Sequence, residues 1–469
     1  MLQIKGKNWP EVLQYAESIR DGEKIACREL QQAVERFFSD LENPEYELTT
    51  KGPEFCIQII EKTICHQQGE RLDGTPLRGA PFLLEPFHKF IIYNLLGFKL
   101  AGTDIVRFHE ALIFIPRKNI KTSFAASLAW ALSLWYRKSG SKTYITSAAM
   151  MQSLESFNFL TYNVRNMGED AKAGGSVKII DNNNEHSMEA ALPDGSFFIR
   201  ALAANPDTQD SLNCNIAICD EIHAFKKPKQ YNLFKEAMKA YTNKLLIGIS
   251  TAGDNEQLFL GQRLKYCRKV LDGTVKDEQY FIFMCCADKD ENGEIDYTNP
   301  KVHEMANPAY GVSIRPEEIM NDSLQAQNDP QQRKDFFAKS LNVYTNALRA
   351  YFDIEEFRKS DAQYKWTLQE LAKMKIDWYG GADLSKLHDL TAAALVGNYQ
   401  GIDIIITHAF FPIVAAHKKA DEDNIPLFGW AEDGWLTMCN SPTVNHADVV
   451  KWFADMRKMG FKIRQVGHD

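Results

Sequence analysis

The sequence predicts an α/β protein in which a helical N-terminal region precedes a parallel sheet with crossover helices and a smaller α/β domain follows. Three observations lead there. From Ala111 onward, short apolar runs alternate with helical segments, the pattern of parallel strands joined by crossover helices. Beyond about Ala350 the texture changes to strands joined by a tight turn. The length, 469 residues, exceeds what one hydrophobic core usually organises.

At the start, Asn8 and Pro10 are expected to open a helix, and a second helix sets Leu30, Ala33, Val34, Phe37, Phe38 and Leu41 on one face. This gives a helical region over 1–75. The runs ALIFI, KTYITSAA, NIAIC and KLLIGIS, with a helix from about Thr122 to Arg137, then define a sheet domain over 76–300. Residues 301–349 carry Asn307-Pro308 and Asp329-Pro330 among polar residues and suggest a connecting segment with helical patches. A last domain, 350–469, opens with WYGGADLS, LTAAALVGNY and IDIIITHAFF, the latter two joined as a hairpin at Tyr399-Gln400-Gly401. In it Asn445 caps a helix bearing Val449, Trp452, Phe453 and Met456, Gly460 ends that helix, and FKIRQV forms a further strand. There is no internal repeat or low-complexity tract.

Composition excludes several classes of function. The formal net charge of −8 rules out a chain that holds nucleic acid through overall basicity. DNA contacts would need local patches: Lys226, Lys227 and Lys229; Lys418 and Lys419; or Arg457, Lys458, Lys462 and Arg464. Each of these also reads as a solvated face. Nine cysteines at scattered positions form no CxxC pair and have no histidines at metal spacing, so they read as reduced thiols. Cys285 and Cys286, in FIFMCCA, read as part of a buried strand. His446 and His468 are isolated histidines in the sequence, which read as structural or exposed, and receive no metal role. No signal-peptide core opens the chain, and no apolar run reaches the roughly 18 residues of a membrane span, so a cytoplasmic protein without membrane contact is expected.

The chemistry is carried by ordered motifs. A phosphate-binding loop needs a strand, a tight turn, a lysine and a hydroxyl at a helix start, where main-chain N–H groups and the helix dipole favour anions. PRKNIKT, Pro116 to Thr122, follows the strand ALIFI and supplies this, with Lys121 for phosphate and Thr122 for Mg2+. Pro116 and Ile120 stand where the usual pattern has glycines, and alone the heptapeptide also reads as a basic turn before a surface helix. About a hundred residues later NIAICDE ends an apolar strand in Asp220-Glu221, one carboxylate for the metal and one to polarise the attacking water. LLIGISTAG then ends another strand in Ser250 and Thr251, suited to sensing the terminal phosphate beside Asp220.

Through these motifs the sequence resembles the large subunit of the terminase of tailed bacteriophages. The likeness covers nearly the whole chain, through IRDGEKIACRELQQAVERFFSDLE, FLLEPFHKFIIYNLLGF, RFHEALIFIPRKNIKTSFAAS, ICDEIHAF, STAGDN and GGADLSKLHDLTA. The family's loop reads RKNGKS or RKNGKT, so Ile120 is a departure where close phosphate approach favours glycine. The resemblance implies a P-loop ATPase followed by an RNase H-like nuclease domain, and it implies ATP with Mg2+ as cofactor. It gives Lys118, Asn119, Lys121, Thr122 and Asp220 to nucleotide and metal binding, Glu221 to general base catalysis and Arg117 to transition-state charge. Ser250, Thr251 and Gly253 become the coupling motif. The adenine-contacting motif of the family carries glutamine where His88 follows Glu85-Pro86-Phe87 here, and Arg200 stands as a candidate inter-subunit arginine or a salt-bridged core residue.

A nuclease of that fold uses two divalent ions, Mg2+ or Mn2+, held by converging carboxylates. Asp383, at the end of its opening strand, fits the first ligand position, and Gly380 with Gly381 would let a DNA backbone approach. Asp383 also suits an Asx-turn, and Asp389 reads as a supporting group or as a cap. Asp469 matches the family's second catalytic aspartate, and because it is the last residue the expectation is either a fragment with a truncated nuclease domain, which is favoured, or an incomplete site. The implied partners are double-stranded DNA, the portal protein, the small terminase subunit and further copies of the chain in a ring. Two other readings stay open: a catalytically weak assembly component that binds portal or small subunit, and a helicase-like DNA translocase.

Overall fold

The apolar runs beyond Ala111 become the middle of a sheet because their side chains are apolar on both faces, so both faces must be covered. In this computed structural model, which describes residues 5–203, 212–253, 255–291, 293–344, 354–385, 389–423 and 425–468, the chain divides into two compact units, Met1–Leu348 and Arg349–Asp469.

The first unit opens with α1 (Trp9–Arg20), α2 (Arg28–Glu42), β1 (Tyr46–Leu48), α3 (Lys51–Thr63), α4 (Pro86–Gly97) and β2 (Phe98–Leu100), the two short strands pairing antiparallel. The predicted face of α2 is the one that buries Leu30, Ala33, Val34 and Phe37. Asn8 precedes α1 without capping it through its side chain. Its main-chain N–H and its amide instead donate to Glu54, each at 2.7 Å, which ties the chain start to α3.

The sheet elements follow: β3 (Glu110–Phe114), α5 (Lys121–Trp135), β4 (Ser141–Ser147), α6 (Met150–Asn166), β5 (Lys178–Asp181), β6 (His186–Leu192) and β7 (Gly195–Ala203). After these come β8 (Ile216–Asp220), α7 (Lys229–Ala237), β9 (Leu245–Ser250), α8 (Phe259–Leu271) and β10 (Tyr280–Met284). The strand order is β10-β3-β9-β8-β4-β7-β6-β5, parallel from β10 to β7 and antiparallel beyond. Strands β3, β8, β9 and β10 are buried along their whole length. The N-terminal helices share one continuous core with this sheet, through Trp9, Phe37, Ile57, Phe90, Leu112 and Phe283 among others.

Residues 301–344, expected as a connecting segment, belong to this unit. Helices α9 (Pro300–Ala306), α10 (Pro316–Asn328) and α11 (Pro330–Lys339) pack on a small core of their own that includes Ala306, Ile319, Phe336 and Leu341.

The second unit contains α12 (Ile354–Gln363), α13 (Leu368–Lys373), β11 (Asp377–Asp383), β12 (Thr391–Tyr399), β13 (Ile402–Pro412), α14 (Ile413–Asp423), α15 (Leu427–Glu432), β14 (Leu436–Cys439), α16 (His446–Met459) and β15 (Lys462–His468). Its sheet order is β14-β13-β12-β11-β15, with β11, β12 and β13 antiparallel neighbours and β15 parallel to β11. The hairpin turns at Gln400 and Gly401 with φ of 52° and 87°, the paired left-handed residues of a two-residue loop. Asn445 caps α16 by accepting from the Ala447 N–H at 3.1 Å, and Gly460 ends it at φ 123°. Trp378, Leu395, Phe453 and Met456 fill the core on one side of this sheet.

Candidate active site

The loop PRKNIKT leaves β3 at Phe114 and enters α5 at Lys121. With no glycine in it, the turn is made by Lys118 at φ 66° and Ile120 at φ 62°, both in the left-handed region. For a β-branched residue that backbone costs about 1–3 kcal/mol and persists only where the surroundings over-determine it. The surroundings here are the segment 301–344. The Arg117 N–H donates to the Lys339 carbonyl at 2.9 Å, and the Ser313 hydroxyl donates to the Lys118 carbonyl at 2.7 Å. The Asn119 amide donates to Asn307 Oδ1 at 2.8 Å, and its oxygen accepts from the Ala309 N–H at 3.0 Å. Asn119 is fully buried and its side chain is committed to these bonds, so any nucleotide contact there would fall to its main chain. Arg117 and Lys118 are exposed, and Thr122 is half-buried in the first turn of α5.

Strand order decides what meets Lys121. Strand β9 lies between β3 and β8, and the register aligns Phe114 with Ser250 and Asp220 with Ile249. The loop lysine, the acidic strand end and the hydroxylated strand end are therefore drawn together at the C-terminal ends of three adjacent strands. Lys121, 6% exposed, donates to the carbonyls of Ile115 at 3.3 Å and Pro116 at 3.1 Å, contacts the Thr251 hydroxyl, and lies 3.9 Å from Glu221. Thr251 in turn donates to the Ile115 carbonyl at 3.0 Å. Ser250 and Thr251 are fully buried, and Gly253 is buried too.

Burial lowers the Lys121 ammonium below the ordinary lysine range, with Glu221 and Asp220 pulling in the opposite direction. Asp220, 3% exposed, is pushed up to about 7 by burial and by the charge of Glu221, against which Lys121 is a partial offset. For Glu221 burial also acts upward, yet His223, Lys121 and Arg117 together hold it below the ordinary carboxylate range. Two adjacent carboxyl groups are thus separated in acidity by their surroundings.

A metal suits this donor set. Asp220 accepts from the Glu221 N–H at 2.9 Å and is otherwise a buried carboxylate in need of positive charge, and Thr122 adds a hydroxyl oxygen in the first turn of α5. Hard oxygen donors of this kind fit a Mg2+-type ion.

His223 was not singled out from the sequence. Its Nδ1 lies 3.0 Å from Glu221 Oε2 and 3.2 Å from Ser250 Oγ. The available signal was its place two residues after Glu221 in DEIHAF. His88, in the position compared with an adenine contact, is fully buried with its ring centroid 3.9 Å from that of Phe87 and 4.4 Å from that of Phe124. It accepts from the Glu85 N–H at 3.2 Å within a capping box, and burial pushes it down to about 3, so it is a neutral packing residue. Arg200 lies within β7, beside Tyr144 in register.

In the second unit Asp383 is exposed at the end of β11. It shares the solvent-facing side of the sheet with Tyr379 and Gly381. Gly380 faces the other way, where an added Cβ would lie 2.8 Å from the Phe453 ring, so it serves packing against α16, whereas Gly381 has open space. Asp389 is exposed and accepts from its neighbour Leu390. Strand β15 runs beside β11 as far as the pair Ala382 and His468, and Asp469 lies outside the described residues. Among the described residues this unit has no group of three or more converging metal-ligating side chains, and Asp383 alone cannot hold two ions. One such group lies in the first unit, Cys27, Glu29 and Cys286, where Glu29 is already paired with Arg268 at 2.7 Å. All nine cysteines are free thiols, and none of the described helices is long and apolar enough to cross a membrane.

A parallel sheet whose loop lysine and paired carboxylates meet across an intervening strand defines a P-loop ATPase, here followed by a smaller α/β unit with an aspartate at a strand end. Comparison with known proteins gives the particular family. Residues 86–269 match the model of the terminase large subunit ATPase domain and residues 274–469 that of its endonuclease domain, so the chain belongs to the terminase large subunits. The endonuclease match begins ahead of the second compact unit and takes in β10 and α9 to α11.

Among curated relatives, the chain is 23% identical to Protein YmfN of Escherichia coli (strain K12) over 52% of its own length and 54% of that protein's. It is 25% identical to the large terminase subunit of Enterobacteria phage HK97 over 87% of its length and 74% of the other's. The chain thus spans about half of the first relative and three quarters of the second. The crystal structure of the HK97 bacteriophage large terminase aligns at TM-score 0.49 and 21% identity, covering 88% of this chain and 79% of that one. A large terminase from a thermophilic bacteriophage aligns at TM-score 0.34 and 10% identity, covering 76% and 77%.

Proposed function

We propose that this chain hydrolyses ATP at the C-terminal ends of its central parallel strands to drive double-stranded DNA into a procapsid, and that its C-terminal domain cuts the concatemeric genome. The observation that carries the ATPase reading is the meeting of Lys121, Asp220, Glu221 and Thr251 at these strand ends. Lys121 binds terminal phosphate oxygens, exchanging its loop carbonyls for a better-charged partner. Thr122 and Asp220 hold Mg2+, which neutralises phosphate charge when bound. Glu221, kept ionised by its neighbours, orients and deprotonates the attacking water, and Arg117, exposed at the loop, is free to reach developing charge. Main-chain groups of Lys118 and Asn119 complete the phosphate cradle, and Ser250, Thr251 and Gly253 respond to the phosphate and relay its loss.

In this reading the parts are a helical region over 1–75, an ATPase domain over 76–300, connecting helices over 301–349 and a nuclease domain over 350–469. Asp383 and Asp469 serve metal-dependent cleavage with Mg2+ or Mn2+. The motor works in the cytoplasm of the bacterial host as a ring on the portal protein, with the small terminase subunit as DNA-recognition partner, and is absent from the mature virion. The expected test result is Mg2+-dependent ATP hydrolysis, with Lys121→Ala losing nucleotide affinity by about tenfold or more, as measured by titration with a fluorescent ATP analogue. Unchanged affinity in that variant would remove the phosphate-binding role.

A further inference from the structure

Glu221 has φ 50° and ψ 48°, a left-handed conformation that a residue with a side chain rarely adopts. The kink ends β8 and sends the chain into a short 3-10 turn, Ile222–Ala224, which sets residue 223 against the end of the neighbouring strand β9. There His223 meets two elements at once. Its main-chain N–H donates to Ser250 Oγ at 3.1 Å, and its Nδ1 lies 3.2 Å from the same oxygen and 3.0 Å from Glu221 Oε2. Gly253 makes room for the ring, since a Cβ there would stand 3.1 Å from the His223 Cβ and 3.2 Å from its Cδ2.

The hydrogen-bond directions assign the tautomer. Ser250 Oγ donates to the Thr251 carbonyl at 3.0 Å and accepts from the His223 main chain, so the serine proton is committed and Nδ1 meets Ser250 Oγ as an N–H donor, while the same nitrogen lies 3.0 Å from Glu221 Oε2, a buried oxygen with no hydrogen-bond partner among the described residues. The contacts close into a circuit: Lys121 to Glu221, Glu221 to His223, His223 to Ser250, Ser250 to Thr251, and Thr251 back to Lys121. Every member but His223 already has a role in phosphate binding, water activation or coupling.

We propose that His223 is a positioning residue that holds the Glu221 carboxylate in place and couples it to Ser250, so that a shift of the strand end 250–253 moves the general base. This rests on the ATPase reading above. A histidine suits the task because it is stiff, reaches both neighbours through one edge, and can hold a carboxylate without removing it from the water it must activate.

The experiment measures steady-state ATP hydrolysis by this chain and its variants. His223→Ala is expected to lower kcat by about tenfold or more while the KM for ATP stays within about threefold, the signature of a misplaced base with intact binding. His223→Asn, whose amide nitrogen can occupy the place of Nδ1, is expected to recover most of kcat. Ser250→Ala combined with His223→Ala is expected to cost less than the two single losses multiplied, as residues of one circuit do. A wild-type kcat in His223→Ala overturns the proposal, and so does a His223→Asn enzyme that melts like wild type yet is no faster than His223→Ala. If His223→Ala does not fold, the asparagine variant alone and with Ser250→Ala decides by the same non-additivity. Glu221→Ala run alongside separates the two levels: full turnover there defeats the ATPase reading itself, whereas an inactive Glu221→Ala beside an active His223→Ala defeats only the role given to His223.

Discussion

The two acidic strand ends of this molecule differ in almost everything but their chemistry. Asp220 closes a strand buried on both faces and sits 3% exposed among a lysine, a glutamate and buried hydroxyls, whereas Asp383 closes a strand with one open face and lies in solvent. The first site is electrostatically pre-set: its charges are crowded, its carboxylates are driven apart in acidity, and its loop is strained into place before any ligand arrives. In the nuclease reading proposed above the second would depend on what is brought to it, because a solvated carboxylate gains its power from metal ions and substrate phosphate. In that reading one chain carries a site shaped by its own packing and a site shaped by its ligands.

The sharpest way to break that contrast is to remove each aspartate's function separately. Asp383→Ala is expected to abolish metal-dependent DNA cleavage, read as loss of cut product on a gel, while ATP hydrolysis stays within about twofold. Persistent cleavage in clean protein would take the nuclease role from Asp383.

A smaller effect should follow pH. Asp220 titrates at about 7 in the folded chain against about 4 when unfolded, so its folded pKa is raised. The stabilising contribution of its neutral form is therefore full below about pH 4 and is lost as pH rises through about 7. Mg2+ requires the ionised form, so its affinity should rise by about tenfold between pH 6 and pH 8, as measured by titration calorimetry with a non-hydrolysable nucleotide present. A flat affinity would show that Asp220 is ionised throughout and that burial does not control it. The smallest effect concerns Ile120. Replacement by glycine relieves a left-handed β-branched residue, and ATP affinity is expected to improve by a few-fold, with weaker binding as the contradicting result.

Much of this was legible in the sequence because strand ends and loop residues announce themselves locally. ALIFI, NIAIC and KLLIGIS are mostly apolar runs that lead into the residues the fold brings together, so both the strands and the candidate site at their ends could be read, as could the Gln400-Gly401 turn and the Asn445 cap. What remained hidden depends on contacts far apart in the chain. The hold of 301–344 on the loop runs through Asn307, Ser313 and Lys339, which look like ordinary polar residues of a connecting segment. The antiparallel pair β5 and β6 is short and mixed in polarity. Asn8 fits a cap by position, yet Glu54 takes its side chain. The inward turn of Gly380 could not be told from the outward turn of Gly381 until the α16 packing fixed the face.

In the proposed reaction the carboxylate pair after β8 performs the hydrolysis, with Glu221 as the base. The most direct measurement is steady-state Mg2+-dependent ATP hydrolysis by Glu221→Gln, with nucleotide affinity measured on the same sample. The expected result is turnover reduced by about a hundredfold or more at near-normal affinity. Turnover at the unmodified rate with affinity preserved would contradict it.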